Sequence, residues 1–330
     1  MAGEAAPSPI ASLTKMMSAL VVLRDHPLSV GASGPDITVT TADVANYTSE
    51  LAANDSVVKV GAGEQLSELQ LLEGALIPSG DNIIQLLATW DAGSTSAFAT
   101  RMNALARTLG MGHTLYVGPS GVDPATVSTV SDQLRLAEAA MANPVFAGIV
   151  SMPQVTLPVA GVQYNVDADL GSDGIDGIKT GWVPQGGGCF VFAATNDFLG
   201  RKVSIVGGVL GERGATPIPT AFSTAENLVA ATERALRSFR LPTGTTIGTL
   251  TAPYTSPIRV VSLSPVSLIA WSGAQIQVSL RGARAVRGVP ETMSDVGSLR
   301  IELGRSVEMT KLSVTKQLQH PSFSWRLTHL

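Results

Sequence analysis

Residues 9–24 read Pro9-Ile10-Ala11-Ser12-Leu13-Thr14-Lys15-Met16-Met17-Ser18-Ala19-Leu20-Val21-Val22-Leu23-Arg24. From Ser12 to Arg24 the apolar positions Leu13, Met16, Met17, Leu20, Val21 and Val22 wrap most of a helix surface, which predicts a buried helix. Its first turn carries Ser12 and Lys15, at i and i+3 on one face. A serine hydroxyl is a poor nucleophile until a base takes its proton, and a lysine can be that base when its surroundings leave it as the free amine. A helix N-terminus adds free N–H groups and a dipole that favour negative charge. The spacing recurs at Ser56-Val57-Val58-Lys59, but in a strand-like run, where residues three apart face opposite sides. Taken alone, either copy is better read as a capping serine and a surface lysine.

Downstream, Ser67 followed by Gln70 is a capping box opening a helix through Leu71, Leu72, Ala75 and Leu76. Pro78-Ser79-Gly80 breaks it, and Asp81 to Trp90 is the next predicted helix. Ser94 to Leu109 follows, closed by Gly110, then Ser131 to Met141, stopped before Asn143-Pro144. The period then changes. Val155 to Val159, Ile175 to Trp182, Cys189 to Ala194 and Lys202 to Leu210 read as strands, and a last helix is predicted from about Pro219 to Phe239. Strands joined this closely pair antiparallel. Leu241-Pro242-Thr243-Gly244 reads as a linker. The expected organisation is therefore residues 1–240 as an α+β domain, an antiparallel sheet flanked by helices with a helical subdomain, and 241–330 as a smaller all-β domain.

Composition supports a globular protein. The chain has 330 residues, 45% hydrophobic and 15% charged, with net charge −4. That is too apolar for disorder, and no excess of basic residues suggests a nucleic acid partner. The uncharged run from Val260 to Leu280 has the length of a membrane span, but its serines, glutamines and Pro265 favour strands, so a soluble chain is expected. The N-terminus has no basic, apolar leader pattern. The four histidines show no metal-ligand spacing, and the lone Cys189 sits in an apolar strand as a core thiol. Gly118-Pro119-Ser120-Gly121 lacks the spacing of a nucleophile elbow. Gly174 to Thr180 lacks the glycine spacing of a phosphate loop.

Two further elements give Ser12 and Lys15 a context. Ser79-Gly80-Asp81-Asn82 sits on the break between two predicted helices, and Lys179-Thr180-Gly181 on a predicted strand. In that order, S-x-x-K, S-x-N or S-D-N and K-T-G are the motifs of serine β-lactamases and penicillin-binding proteins. The chain resembles the D-alanyl-D-alanine carboxypeptidases, the low-molecular-mass penicillin-binding proteins. Pro9 to Lys15 looks like the family's nucleophile segment and Leu72 to Gly80 like its second-motif helix and turn. Gly121-Val122-Asp123 with Ser128-Thr129 is similar to its later loop, and Asp176 to Trp182 to its third-motif strand. The resemblance runs from about Pro9 to Phe239.

It implies roles. Ser12 would attack the penultimate D-alanine carbonyl of a peptidoglycan stem peptide ending in D-Ala-D-Ala, and Lys15 would take its proton. Ser79 would relay a proton to the leaving amine. Lys179 and Thr180 would recognise the terminal carboxylate. Gly181 would let the substrate lie as an added strand, and the backbone N–H groups of Ser12 and Trp182 would hold the oxyanion. No metal or cofactor enters this scheme. β-Lactam antibiotics would acylate Ser12. The resemblance further implies an exported protein of the cell envelope, peripherally associated, whose leader is absent from the chain shown.

Two departures matter. Asp81 stands where the family usually has asparagine, with Asn82 next. An asparagine amide both accepts and donates, whereas an aspartate only accepts, and beside Lys15 it favours the ammonium. Either Asn82 takes the role through a shifted turn or the site is a variant. In addition, the family's sheet receives strands that precede the nucleophile, and only eleven residues precede Ser12 here, so a free sheet edge is expected. Two other readings stay open: a serine β-lactamase, for which Glu138 is the one glutamate between Ser79 and Lys179, and a catalytically impaired peptidoglycan-binding protein of the same fold.

Overall fold

The computed structural model describes residues 6–281, 296–304, 306–317 and 319–329. The chain forms two compact units, Met1–Ala231 and Thr232–Leu330.

In the first unit a 3-10 turn, Ala11–Leu13, leads into α1 (Thr14–Asp25), every residue of which from Thr14 to Leu23 is buried. This is the all-round apolar helix of the sequence, and it forms the centre of the largest core cluster. Around it stand α2 (Thr41–Ala52), α3 (Glu68–Leu76), α4 (Asp81–Ala92), α5 (Thr95–Thr108), α6 (Val130–Met141) and α7 (Pro144–Val150). The Ser67/Gln70 capping box has both of its hydrogen bonds. Gly110 has φ +72°, the left-handed conformation expected just beyond a helix.

In this unit two helices lie outside the sequence expectation. α2 opens with a capping box of Thr40 and Asp43. Asn143-Pro144 starts α7 as well as ending α6: the Asn143 side chain accepts from the Val145 and Phe146 N–H groups, and Pro144 takes the first position, where no N–H is needed.

Short antiparallel ladders tie the loops together: β1 (Ser8–Pro9) with β4 (Val127–Ser128), β2 (Asp36–Thr38) with β3 (Gln65–Ser67), and β5 (Gln154–Leu157) with β6 (Gly161–Tyr164). The main sheet is antiparallel, in the order β7 (Ile175–Val183), β8 (Gly187–Phe198), β9 (Arg201–Glu212). Among the described residues β9 has no strand on its outer side. Alternation divides β8 between two cores. Cys189, Val191 and Ala193 face the α1 cluster, while Phe190, Phe192 and Ala194 pack with Ala221, Phe222, Ala225 and Val229 of α8 (Pro217–Ala235). The sheet is thus covered by helices on both faces, as read from the sequence.

The second unit contains β10 (Leu236–Leu241), β11 (Thr246–Ala252), β12 (Thr255–Ser262), β13 (Val266–Trp271), β14 (Gln277–Arg281), β15 (Gly297–Leu303), β16 (Ser306–Val314) and the short α9 (Phe323–Thr328). β10 pairs with β13, and the order β11-β12-β16-β15-β14 makes a five-stranded antiparallel sheet. The run from Val260 to Leu280 is therefore strands and turns, and among the described residues no helix is long and apolar enough to cross a membrane. The units divide earlier than the expected 240/241. The last helix stops at Ala235, and residues 236–241 pair in full register with β13, so Leu241 to Gly244 is an internal turn of this unit.

The packing of α8 on the sheet rests on Phe190, fully buried and edge-on to Phe222 with ring centroids 4.9 Å apart. Phe190→Ala is expected to cost about 4 kcal/mol, read as a lower midpoint in denaturant unfolding monitored on this unit.

Candidate active site

The side chain of Lys15 ends in a fully buried position between three elements. Its ammonium donates to Ser12 Oγ at 2.8 Å, to Ser79 Oγ at 3.3 Å and to the Ser120 carbonyl at 3.4 Å. Asp81 Oδ1 lies 2.6 Å from the same nitrogen. Three N–H groups cannot serve four acceptors at good angles, and the Asp81 oxygen, off the hydrogen-bonding direction, acts as an ion-pair partner. The first and second motifs thus meet at one nitrogen.

Both serines sit beside strained backbone. Ala11, just before Ser12, has φ +50° and Ser79 has φ +66°. Left-handed conformations cost non-glycine residues of order 1–3 kcal/mol and persist where the surroundings impose them. For Ser79 the imposing structure is the break between α3 and α4, where Gly80 N donates to Gly74 O at 3.0 Å.

The two candidates for the asparagine role separate cleanly. Asp81 faces Lys15 and also accepts from Ser56 N at 3.1 Å, while its own N–H donates to Ser56 O at 2.7 Å. Asn82 does not reach Lys15. Its carbonyl accepts from Val58 N at 2.9 Å and its amide donates to Val58 O at 2.8 Å. Asn82 therefore serves as a backbone clamp, and the turn is not shifted. The second S-x-x-K copy finds its use here too: the extended segment from Ser56 to Val58 binds the first turn of α4. Behind it, Glu50 of α2 is raised to about 7, first by burial and then by the Asp81 charge.

The third motif lies on β7, an edge of the sheet. Gly181 is required by close approach, since a Cβ there would stand 2.9 Å from Ser12 N and 3.1 Å from Ile10 O. This contact sets the strand against the 3-10 turn that carries Ser12 and puts the next residue, Trp182, beside that turn. The Trp182 ring is 52% exposed, so it is no core tryptophan. Thr180 is buried. Lys179 is 1% exposed, and its Nζ has no hydrogen-bond partner among the described residues. Burial and, after it, the Lys15 charge lower Lys179 to about 7, opposed by Asp81 and Asp167.

Some contributors carried no signal in the sequence. Ser120 acts through its backbone carbonyl, which no residue type announces. The loop carrying it is fixed by Ser18 Oγ donating to Pro119 O at 2.7 Å. Gly121 has φ +84°, and a Cβ there would stand 1.9 Å from Ala11 O. Glu138, the glutamate considered for a β-lactamase, lies exposed on α6. Among the described residues no group of three or more His, Cys, Asp or Glu is arranged to hold a metal ion.

The chain is similar to known proteins over most of its first unit. Residues 3–212 match the family model described as D-alanyl-D-alanine carboxypeptidase. The chain is 34% identical over 215 residues to D-alanyl-D-alanine carboxypeptidase DacB2 of Mycobacterium tuberculosis, covering 63% of this chain and 69% of that protein. It is 33% identical over 194 residues to a D-alanyl-D-alanine endopeptidase of Pseudomonas aeruginosa, covering 57% of this chain and 59% of that one. Among solved structures, the crystal structure of the Streptomyces K15 DD-transpeptidase is similar with a TM-score of 0.58 and 27% identity, over 68% of this chain and 88% of that one.

Asn82→Ala strips two buried backbone groups of their partner, which costs about 3 kcal/mol. The expected result is a clearly lower unfolding midpoint, with covalent penicillin labelling retained by the folded protein. Loss of labelling in a variant of unchanged stability would instead place Asn82 in the chemistry.

Proposed function

The chain belongs to the D-alanyl-D-alanine carboxypeptidase family, and we propose that it removes terminal D-alanine through a serine acyl-enzyme cycle centred on Ser12. The observation that carries this reading is the buried Lys15 nitrogen, within hydrogen-bonding distance of both Ser12 Oγ and Ser79 Oγ.

In the first step Lys15, as the amine, takes the Ser12 proton while Oγ attacks the carbonyl of the penultimate D-alanine. The new ammonium is stabilised by Asp81, 2.6 Å away. The oxyanion lies between the backbone N–H groups of Ser12 and Trp182, which the approach of Gly181 to Ser12 brings together. Ser79, bonded to the same nitrogen, passes its proton to the leaving D-alanine amine and is reprotonated by the Lys15 ammonium, which returns to the amine. The substrate's terminal carboxylate docks on Lys179 and Thr180, supplying the partner that the Lys179 ammonium lacks among the described residues. Water then attacks the acyl group while Lys15 takes its proton, and Lys15 returns that proton to Ser12 Oγ as the ester bond breaks.

The partners follow from this scheme: a peptidoglycan stem peptide ending in D-Ala-D-Ala as substrate, and β-lactams as substrate mimics that acylate Ser12. Such a substrate calls for a site of action outside the cytoplasm, at the cell envelope. The β-lactamase reading is disfavoured by Glu138, whose exposed position on α6 offers no carboxylate to the acyl group. Asp81 favours keeping the impaired-enzyme reading as the second one, because a resting ion pair withholds the lone pair of Lys15.

Mass spectrometry after incubation with penicillin tests the reading. The expected outcome is one stable adduct on Ser12, absent in Ser12→Ala, together with release of D-alanine from a D-Ala-D-Ala peptide. Lys15→Ala should lower the acylation rate by at least about a hundredfold. Rapid turnover of penicillin would favour a β-lactamase, and a folded protein that takes no label would favour the binding protein.

A further inference from the structure

The strand that carries the third motif is held at its C-terminal end by a residue outside the three motifs. The turn Pro184-Gln185-Gly186 joins β7 to β8. Trp182 stands opposite Gly188, and Val183 opposite Gly187 closes the ladder beside the turn. The turn lies against the segment that leads into the nucleophile, since a Cβ on Gly186 would stand 2.5 Å from Pro9 O. Arg213, exposed just beyond the end of β9, reaches the same turn. Its Nη1 donates to Pro184 O at 3.0 Å and its Nη2 to Gln185 O at 2.7 Å. A guanidinium is a planar fork of donors that bridges two acceptors in a fixed geometry, which an ammonium does not. The chain that bears the fork is itself anchored. Glu212 pairs with Gly188 and accepts from Thr224 of α8 at 3.0 Å.

An oxyanion hole made of two N–H groups works only while the segments carrying them keep their spacing, because the donors must already point at the charge that develops. One donor is on the turn with Ser12. The other is on β7, which has β8 as its single neighbour among the described residues. Gly181 sets how closely the two segments approach, but the strand ends at Val183, and beyond it only the turn keeps that end in place. We propose that Arg213 is a positioning residue for the reaction, its two hydrogen bonds to the Pro184 and Gln185 carbonyls holding the end of β7, and with it the Trp182 N–H, against the Ser12 turn. This rests on the reading of that N–H as an oxyanion donor. Both terminal nitrogens of Arg213 are committed to the turn, so the residue supplies geometry and not substrate contact. Its removal leaves Lys179 and Thr180 to hold the terminal carboxylate and weakens an interaction made only in the transition state.

Acylation by penicillin, followed over a range of concentrations, separates the two effects. The rate constant at saturation reports the transition state against the bound complex, and the half-saturating concentration reports binding. Misfolded protein lowers the final amount of adduct and not its rate constant, so a folding defect is read separately. Arg213→Gln keeps a polar side chain at an exposed position and removes the fork. Its saturating rate constant is expected to fall about tenfold, with the half-saturating concentration within about twofold of the unaltered protein. Arg213→Lys, which reaches one carbonyl at a time, should recover part of the loss. An unchanged saturating rate constant in Arg213→Gln overturns the proposal, and so does a change confined to the half-saturating concentration, which would make Arg213 a binding residue. Trp182→Pro lacks the N–H and tests the premise. Acylation at the unaltered rate in Trp182→Pro removes Trp182 as an oxyanion donor and the proposal with it. A slowed Trp182→Pro beside an unaffected Arg213→Gln removes the role of Arg213 alone.

Discussion

The arrangement depends on one buried charge. Lys15 is fully enclosed, and an ammonium taken from water must be paired and hydrogen-bonded or it loses its proton. Its partners come from three places: Ser12 one turn before it, Ser79 and Asp81 at the start of α4, and the Ser120 carbonyl on the loop after α5. Satisfying this single group fixes the relative position of α1, α4 and that loop. The chemistry and the packing therefore have a common origin, because removing one partner would leave a charge in the core as well as a defective nucleophile.

Close approach does the rest. Gly181 and Gly121 touch the two sides of the turn carrying Ser12, and neither tolerates a Cβ. The strain at Ala11 is held between them. A nucleophile gripped in this way loses little entropy on reaching the attacking geometry. The apolar helix α1 behind it supplies the rigidity, since a core closed by ten consecutive buried residues has few alternative packings.

Much of this was legible in the sequence because it is local. The spacing of Ser12 and Lys15, the Ser67/Gln70 box, the break at Pro78 to Gly80 and the alternation from Cys189 to Ala194 each follow from periods or caps a few residues long. What escaped was set by distance. Asn82 stands next to Asp81, and nothing in the order of residues says which of them faces the lysine. The answer is the Val58 backbone, which Asn82 claims with both ends of its amide. α2 has only a weak apolar period, and α7 is seven residues long behind an Asn143-Pro144 pair that reads in sequence only as the end of α6. β10 was absorbed into the preceding helix because its pairing partner, β13, lies far along the chain.

The replacement of an amide by Asp81 is best understood as charge balance. Two ammonium groups in one buried site repel each other, and the effect on Lys179 is visible, lowered to about 7 by burial and by Lys15. A neutral asparagine would relieve neither. Asp81 offsets Lys15 directly, at 2.6 Å, and adds support for Lys179 at longer range. The cost falls on the base, because an ion-paired lysine must give up its proton before it can accept one from Ser12. A buried pair is weak evidence for stability as such. Here it separates two requirements, a charged Lys179 for binding and an uncharged Lys15 for attack, that one electrostatic environment serves poorly. The geometry meets the conflict with one acid, Asp81, in contact with Lys15 and supporting the charge of Lys179 at longer range.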